Sequence, residues 1–152
     1  MASKKEYGQG YFTFGDSVSA TAHACLDKAI FFELFNNFSC TASVMRLSVC
    51  AETSFIIGEC PVLSTDGYEY AINVTESGVS INAETERGLI HGFLSLLELI
   101  EPRELEIDRE ELAIPVGRIW DHPDLEYRMA HLCFFPEQTP AEIEKYVLLW
   151  QC

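Results

Sequence analysis

The fold of this chain is decided by residues 67–83, which read GYEYAINVTESGVSINA. Apolar and polar side chains alternate through residues 68–74 and again through residues 79–83, which is the period of a strand with one buried face. Glu76, Ser77 and Gly78 separate the two runs, and Gly78 permits the positive φ that a tight hairpin requires. The sequence therefore predicts a β-hairpin with one apolar face.

A helix with a broad apolar stripe is predicted next, over residues 85–100. Thr85 begins it, and Pro102 stops it because proline has no amide hydrogen to continue the helix. Gly88 and Gly92 are four residues apart, so they share one face and let the helix approach the sheet closely. The stripe consists of Leu89, Ile90, Phe93, Leu94, Leu96, Leu97, Leu99 and Ile100.

The remaining elements complete an α+β fold. A first helix is expected near residues 17–36, where Asp16 or Ser17 provides an N-cap and apolar residues follow at helical spacing. The whole predicts a mixed β-sheet of about five strands with two helices on one face. Residues 1–9 are expected to form a polar N-terminal arm. Four further runs have strand character: residues 11–14, 44–49, 54–58 and 114–120.

The tail has the pattern of a strand followed by a helix. Residues 127–135 are predicted to form a buried strand, and Thr139 and Pro140 begin a helix as its N-cap and first helical residue. A strand followed by a helix is the first unit of a β/α repeat. We therefore expect a small α+β domain at residues 10–124 and an incomplete (β/α)8 barrel at residues 125–152.

Charge and apolar content exclude several classes of partner. The 152 residues include 24 acidic and 10 basic side chains, for a formal net charge of −14. Because nucleic acids and anionic membranes are bound mainly through Lys and Arg, neither is expected as a partner. No apolar run approaches the ~18 residues of a membrane helix. Residues 6–10 lack the apolar region of a secretory leader, so a cytoplasmic location with six reduced cysteines is expected.

The sequence contains no pattern typical of catalysis or metal binding. Acidic pairs such as Glu98 with Glu101 lie in segments that are expected to be exposed. His131 and Cys133 fall on one side of a predicted strand, but two ligands without a further pair are too few for a metal site. No catalytic residue, metal or other cofactor is therefore predicted.

The hairpin and the following helix resemble the small domain that precedes the catalytic barrel in family 20 glycoside hydrolases, the β-N-acetylhexosaminidases. That domain reads G-Y-x-L-x-V, then G-I-x-I-x-A, then G-x-x-x-G-x-x-T-L-x-Q-L, and the matching runs here begin at Gly67, Gly78 and Gly88. Residues 116–128 are similar to the family junction I-x-D-x-P-x-F-x-Y-R-G, which leads into the first barrel strand. The junction is matched by Ile119, Asp121, Pro123, Tyr127 and Arg128.

The resemblance implies a function and one binding residue. The Arg at the family's first barrel strand hydrogen-bonds hydroxyls of the terminal sugar, which makes Arg128 the candidate substrate-binding residue. The alternative for Arg128 is an ion pair with Asp121 or Asp124. The family's catalytic Asp-Glu pair lies at the end of the fourth barrel strand, beyond what residues 125–152 can supply. The resemblance thus implies a non-catalytic N-terminal domain whose parent enzyme hydrolyses terminal N-acetylhexosamine residues in carbohydrate.

Two other interpretations stay open at this point. A stand-alone module could bind carbohydrate or a protein through the sheet face that the helices leave uncovered. The unpaired edges of the strand at residues 127–135 would also favour self-association with a second copy. Carbohydrate is the expected partner of the family-20-like protein, reached through the parent barrel.

Overall fold

The computed structural model describes residues 2–14, 17–26, 44–106, 109–124, 139–141 and 143. The chain divides into two compact units, Met1–His122 and Pro123–Cys152. In the second unit, the Thr139 carbonyl accepts a hydrogen bond from the Ile143 amide at 3.1 Å, which is the spacing of a helical turn. Arg128 and the strand expected at residues 127–135 lie outside the described residues, so their predicted roles in sugar binding and self-association stay predictions.

The first unit is an α+β structure built on one mixed sheet of eight strands. Its strands follow the order β1-β8-β5-β6-β4-β2-β3, and β7 also pairs with β8. The β2–β3 pair is parallel, and the other described pairs are antiparallel. The elements are β1 (Lys4–Thr13), β2 (Ser17–His23), β3 (Val44–Cys50), β4 (Ser54–Gly58), β5 (Tyr70–Thr75), β6 (Gly78–Ala83), α1 (Glu86–Glu98), β7 (Glu101–Glu106) and β8 (Arg109–Asp121).

The predicted hairpin is confirmed as β5 and β6. Ile72 lies opposite Ile81, and Val74 lies opposite Val79, so these side chains share one face. The turn that leads into β5 is formed by an Asp-Gly pair, which tolerates positive φ values. Asp66 and Gly67 have φ values of 51° and 86°, and the Tyr68 amide donates to the Thr65 carbonyl at 2.9 Å, as in a type I′ turn.

The role predicted for Gly78 is wrong in its mechanism. Gly78 does not have a positive φ, which among the described glycines is found at Gly10, Gly58 and Gly67. Glycine is required at position 78 because a Cβ there would collide with the Ile57 carbonyl of the neighbouring strand β4. The constraint is therefore close strand approach rather than turn conformation.

The helix predicted over residues 85–100 is confirmed as α1. The Thr85 hydroxyl accepts a hydrogen bond from the Gly88 amide at 3.0 Å, which caps the first turn. The predicted close approach is also confirmed. A Cβ added to Gly88 would lie 2.8 Å from the Glu69 carbonyl oxygen, and one added to Gly92 would lie 2.7 Å from Cγ2 of Ile81.

The prediction of a first helix near residues 17–36 is wrong for residues 17–23, which form a strand. Ser17–His23 forms strand β2, which pairs with β3 on one side and with β4 on the other. Ala20 and Ala22 are buried opposite Ile57 and Phe55, a period of two that small residues do not reveal in the sequence. Residues 27–36 lie outside the described residues.

The sheet is also larger than predicted at two other places. The first is β1, which extends the strand predicted at residues 11–14 back to Lys4 and thus includes most of the expected polar arm, whose side chains are exposed. The second is β7, which forms from the acidic segment after α1 and pairs with the first part of β8. Both segments form backbone hydrogen bonds to β8, although their polar side chains do not predict a strand.

The core lies between α1 and the face of the sheet that it covers. Phe55 of β4 is fully buried, and its ring meets that of Phe93 edge-to-face at a centroid distance of 5.4 Å. Ile72, Ile81 and Leu89 are equally buried. Within the described ranges, no helix has the length and apolar character needed to cross a membrane.

Gly92→Ala is expected to lower the free energy of unfolding by about 1–3 kcal/mol, because the added methyl group must displace Ile81 or the Tyr70 ring. This loss opposes the gain of about 1 kcal/mol that alanine has over glycine in a helix. Urea denaturation of the purified protein measures the difference. Glu98→Ala, at an exposed position of the same helix, is the control and should change stability little. An unchanged or higher stability of Gly92→Ala would contradict the close approach.

Candidate functional site

The sheet face opposite α1 is the first candidate surface, because it carries polar side chains suited to sugar hydroxyls. Asn73, Ser80 and Asn82 point to this face, since they alternate with the apolar residues that face the helix. All three donate hydrogen bonds to backbone carbonyls of residues 59–65, here called the strap. Asn73 Nδ2 and Ser80 Oγ reach the Pro61 carbonyl at 2.9 and 2.8 Å, and Asn82 Nδ2 reaches that of Leu63 at 3.0 Å.

Two further donors hold the ends of the strap. Ser77 Oγ donates to the Glu59 carbonyl at 2.8 Å, and Trp120 Nε1 donates to the Ser64 carbonyl at 3.0 Å. As a result Asn73 is 4% exposed and Ser80 is 1% exposed. The strap therefore covers the face of β5 and β6 through which a stand-alone module was expected to bind carbohydrate or a protein.

A second cluster stands where β8 ends, at the last residues of the first unit. We call it the exit corner, and it consists of Tyr70, Ser95, Asp121 and His122. Tyr70 lies opposite Asp121 in the β5–β8 ladder, and its hydroxyl donates to Asp121 Oδ2 at 3.1 Å. The same hydroxyl lies 2.8 Å from Ser95 Oγ on α1, and Asp121 Oδ1 accepts from the His122 amide at 2.9 Å.

The direction of these hydrogen bonds follows from the chemistry of the groups. A carboxylate only accepts, so the single phenolic proton of Tyr70 goes to Asp121. The Ser95 hydroxyl must then donate to the phenol oxygen. Tyr70 is 3% exposed, and burial, together with the charge of Asp121, raises the pKa of its phenol to about 12, although the hydrogen bond with Ser95 acts in the opposite direction. The exit corner is thus a neutral phenol held between a hydroxyl and a carboxylate.

Aromatic contacts tie the start of β1 to the same end of the sheet. The Lys4 ammonium lies 4.4 Å from the centroid of the Trp120 ring, and the Tyr68 hydroxyl donates to the Ala2 carbonyl at 3.3 Å. The Tyr68 and His122 rings meet edge-to-face at 6.1 Å. Several separate parts of the chain therefore converge on the last residues of β8.

The third cluster joins the loop before β5 to α1. Glu69 Oε2 lies 3.1 Å from His91 Nδ1, and Glu69 Oε1 lies 3.5 Å from Arg87 Nε. Because both carboxylate oxygens have partners on the helix, this Glu links the loop before β5 to α1. In the part of the chain that the structure describes, no three His, Cys, Asp or Glu side chains are grouped so that they could hold a metal ion.

Sequence motifs identify one member of the exit corner, Asp121, through the junction and as an alternative partner of Arg128, which lies outside the described residues along with His131 and Cys133. The other three carry no functional signal in the sequence. Tyr70 and Ser95 belong to the predicted hairpin and helix, and His122 falls at a variable position of the junction motif. The hydroxyl of a buried Tyr usually has a hydrogen-bond partner, and that tendency is the available signal.

Asn73→Ala is expected to lower the free energy of unfolding by about 1–3 kcal/mol, because it removes a buried donor from the Pro61 carbonyl. Urea denaturation measures the loss, and alkylation of Cys60, a strap residue whose thiol donates to the Asn73 carbonyl at 3.4 Å, should become faster. Val62→Ala changes an exposed strap side chain and serves as the control. Unchanged stability together with unchanged Cys60 alkylation would show that the strap is not held by this bond.

Tyr70 should give the protein a characteristic loss of stability at high pH. The folded-state pKa of its phenol is raised, so the folded protein binds this proton more tightly than the unfolded chain does. The resulting stabilisation is complete below pH ~10 and is lost as the pH rises toward about 12. The difference in unfolding free energy between the protein and Tyr70→Phe should therefore shrink over this interval. Tyr7→Phe, which removes the hydroxyl of an exposed tyrosine, is the matched control for the substitution.

Comparison with known proteins agrees with the architecture. A family model described as "Glycosyl hydrolase family 20, domain 2" matches residues 4–122, which coincide closely with the first unit. None of the curated proteins matches the chain. The match confirms the resemblance drawn from the hairpin and the helix. It ends at residue 122, so Pro123, Tyr127 and Arg128 of the junction lie beyond it. On the strength of this match, which covers most of the chain, the chain belongs to glycosyl hydrolase family 20, and residues 4–122 are its domain 2.

Proposed function

We propose that residues 4–122 serve as the non-catalytic domain of a glycoside hydrolase that removes terminal N-acetylhexosamine residues from carbohydrate. The observation that carries the proposal is the position of β8. This strand is hydrogen-bonded on both sides within the sheet, and it ends at Asp121, one residue before the first unit ends. A strand held on both sides and fixed at its last residue is suited to support the polypeptide that follows it.

Two carboxylates of this unit, those of Glu69 and Asp121, make contacts suited to a structural role. Glycosidases need a carboxyl group free to protonate the leaving oxygen. Both oxygens of Glu69 are engaged by helix side chains, and both oxygens of Asp121 accept hydrogen bonds in the exit corner. These contacts support a role for both carboxylates in holding the unit together.

The proposed substrate class comes from the family to which the chain belongs. In the β-N-acetylhexosaminidases the acetamido oxygen of the substrate attacks the anomeric carbon, and a neighbouring Asp-Glu pair orients the acetamide and protonates the leaving oxygen. In our proposal that pair comes from a barrel outside residues 4–122. The contribution of domain 2 is a stable support, with Arg128 as the candidate sugar-binding residue that follows it.

A stand-alone carbohydrate-binding module is the weaker candidate. Its strongest surface would be the polar face of β5 and β6, and the strap already satisfies the donors of Asn73, Ser80 and Asn82. A sugar would have to displace these carbonyls, and each hydrogen bond that it formed with a donor would only replace one that the strap already makes. The geometry thus favours the accessory role.

The proposal is tested by two measurements on the 152-residue chain and one on a protein that joins it to a family 20 barrel. The chain should show no turnover of a chromogenic N-acetyl-β-glucosaminide and no heat of binding with N-acetylglucosamine. The protein with its barrel should hydrolyse the N-acetylglucosaminide and not the corresponding glucoside, because only the former carries the attacking acetamide.

Each result has a defined meaning. Turnover by the chain, abolished by substitution of Glu69 or Asp121, would overturn the non-catalytic role. Saturable sugar binding that weakens in Asn73→Ala would favour the stand-alone module. Equal activity of the barrel-containing protein on both glycosides would overturn the proposed substrate class.

A further inference from the structure

We propose that Ser95, Tyr70 and Asp121 form a positioning relay, in which helix α1 sets the direction of the backbone where it leaves the first unit. The proposal rests on the accessory function above and identifies the side chains through which it would act. It treats none of the three as a catalytic residue.

The relay begins on α1, at a place where the helix lies unusually close to the sheet. Gly92 and Ser95 are three residues apart and so lie on the same face of the helix. A Cβ on Gly92 would stand 3.1 Å from Cδ2 of the Tyr70 ring, so the glycine allows the helix backbone to rest against this ring. One turn later, Ser95 Oγ is 2.8 Å from the Tyr70 hydroxyl. The close approach is therefore what brings the serine within hydrogen-bond distance.

The second step passes from Tyr70 to Asp121. Rotation of the Asp121 carboxylate would break its hydrogen bond with the buried phenol, and the phenol itself is held by Ser95. Burial of the phenol away from water leaves it few other acceptors, which makes the bond costly to break. The orientation of the carboxylate thus depends on the position of α1.

The third step passes from Asp121 to the backbone of the exit. With Oδ2 held by Tyr70, Oδ1 accepts the His122 amide at 2.9 Å. Pro123 follows, and a residue before proline is restricted to extended conformations. The backbone at His122 is therefore constrained from both sides, by the carboxylate before it and by the proline ring after it.

Hydrogen exchange of the His122 amide, followed by NMR in the full chain, tests the relay. Asp121→Ala should accelerate this exchange by about ten-fold or more, because the amide loses a charged acceptor. Tyr70→Phe and Ser95→Ala should accelerate it by at least about three-fold, since they release the carboxylate without removing it. Ser95→Thr, which keeps the hydroxyl, should restore slow exchange.

A matched control separates positioning from general loss of stability. Ser80→Ala also removes one buried hydroxyl, but on the opposite face of the sheet, where Ser80 donates to the strap. It should leave His122 exchange unchanged relative to exchange of the core amide of Ile72. Ser95→Ala is expected to fold because alanine is favourable in a helix, so it remains informative if Tyr70→Phe fails to fold.

The proposal is overturned if His122 exchange in Ser95→Ala equals that of the unmodified protein, or if it rises only in parallel with that of Ile72. Neither measurement depends on glycosidase activity. Failure of the relay would therefore leave the accessory function standing, and failure of the accessory function in the enzyme assays would leave the exchange results interpretable.

Discussion

The structure of the first unit depends on the close contact between α1 and the β5–β6 hairpin. Because Gly88 and Gly92 have no side chain, the helix approaches the sheet so closely that a Cβ at either position would collide with it. Leu89 and Phe93 then pack against the apolar side of the hairpin. The same contact brings Ser95 to Tyr70 and so reaches the last residue of β8. One steric constraint thus serves both the core and the exit corner.

The two faces of the hairpin are buried by different means. The apolar side meets a helix, and the burial of hydrocarbon surface stabilises that contact. The polar side meets the strap, whose carbonyls accept hydrogen bonds from Asn73, Ser80 and Asn82. Burial of an amide or hydroxyl group without a hydrogen-bond partner is unfavourable, and these bonds offset that desolvation cost for the second face. Strand β8 is hydrogen-bonded to β5, so it pairs with a hairpin that is covered on both faces.

This arrangement suits a domain whose task is mechanical support. Glu69 and Asp121 use both of their oxygens inside the unit, and the polar face is filled by the chain itself. The chemistry that the family performs needs free carboxylates beside a sugar, and these two are already engaged. In our proposal the unit contributes rigidity and direction, while a barrel contributes the reaction.

The sequence by itself determined the hairpin, helix α1 and the close approach at Gly88 and Gly92, because each depends on periodicity or spacing within a few tens of residues. The family followed from the resemblance of the same segments to known motifs. Only the tertiary structure decided that Ser17–His23 is a strand, because its backbone bonds go to β3 and β4 and its small residues carry no strong period. It also decided the exit corner, where Tyr70 joins Asp121, 51 residues away along the chain. Such a contact exists only after the sheet has formed, since strand order and register, rather than local pattern, place those two side chains together.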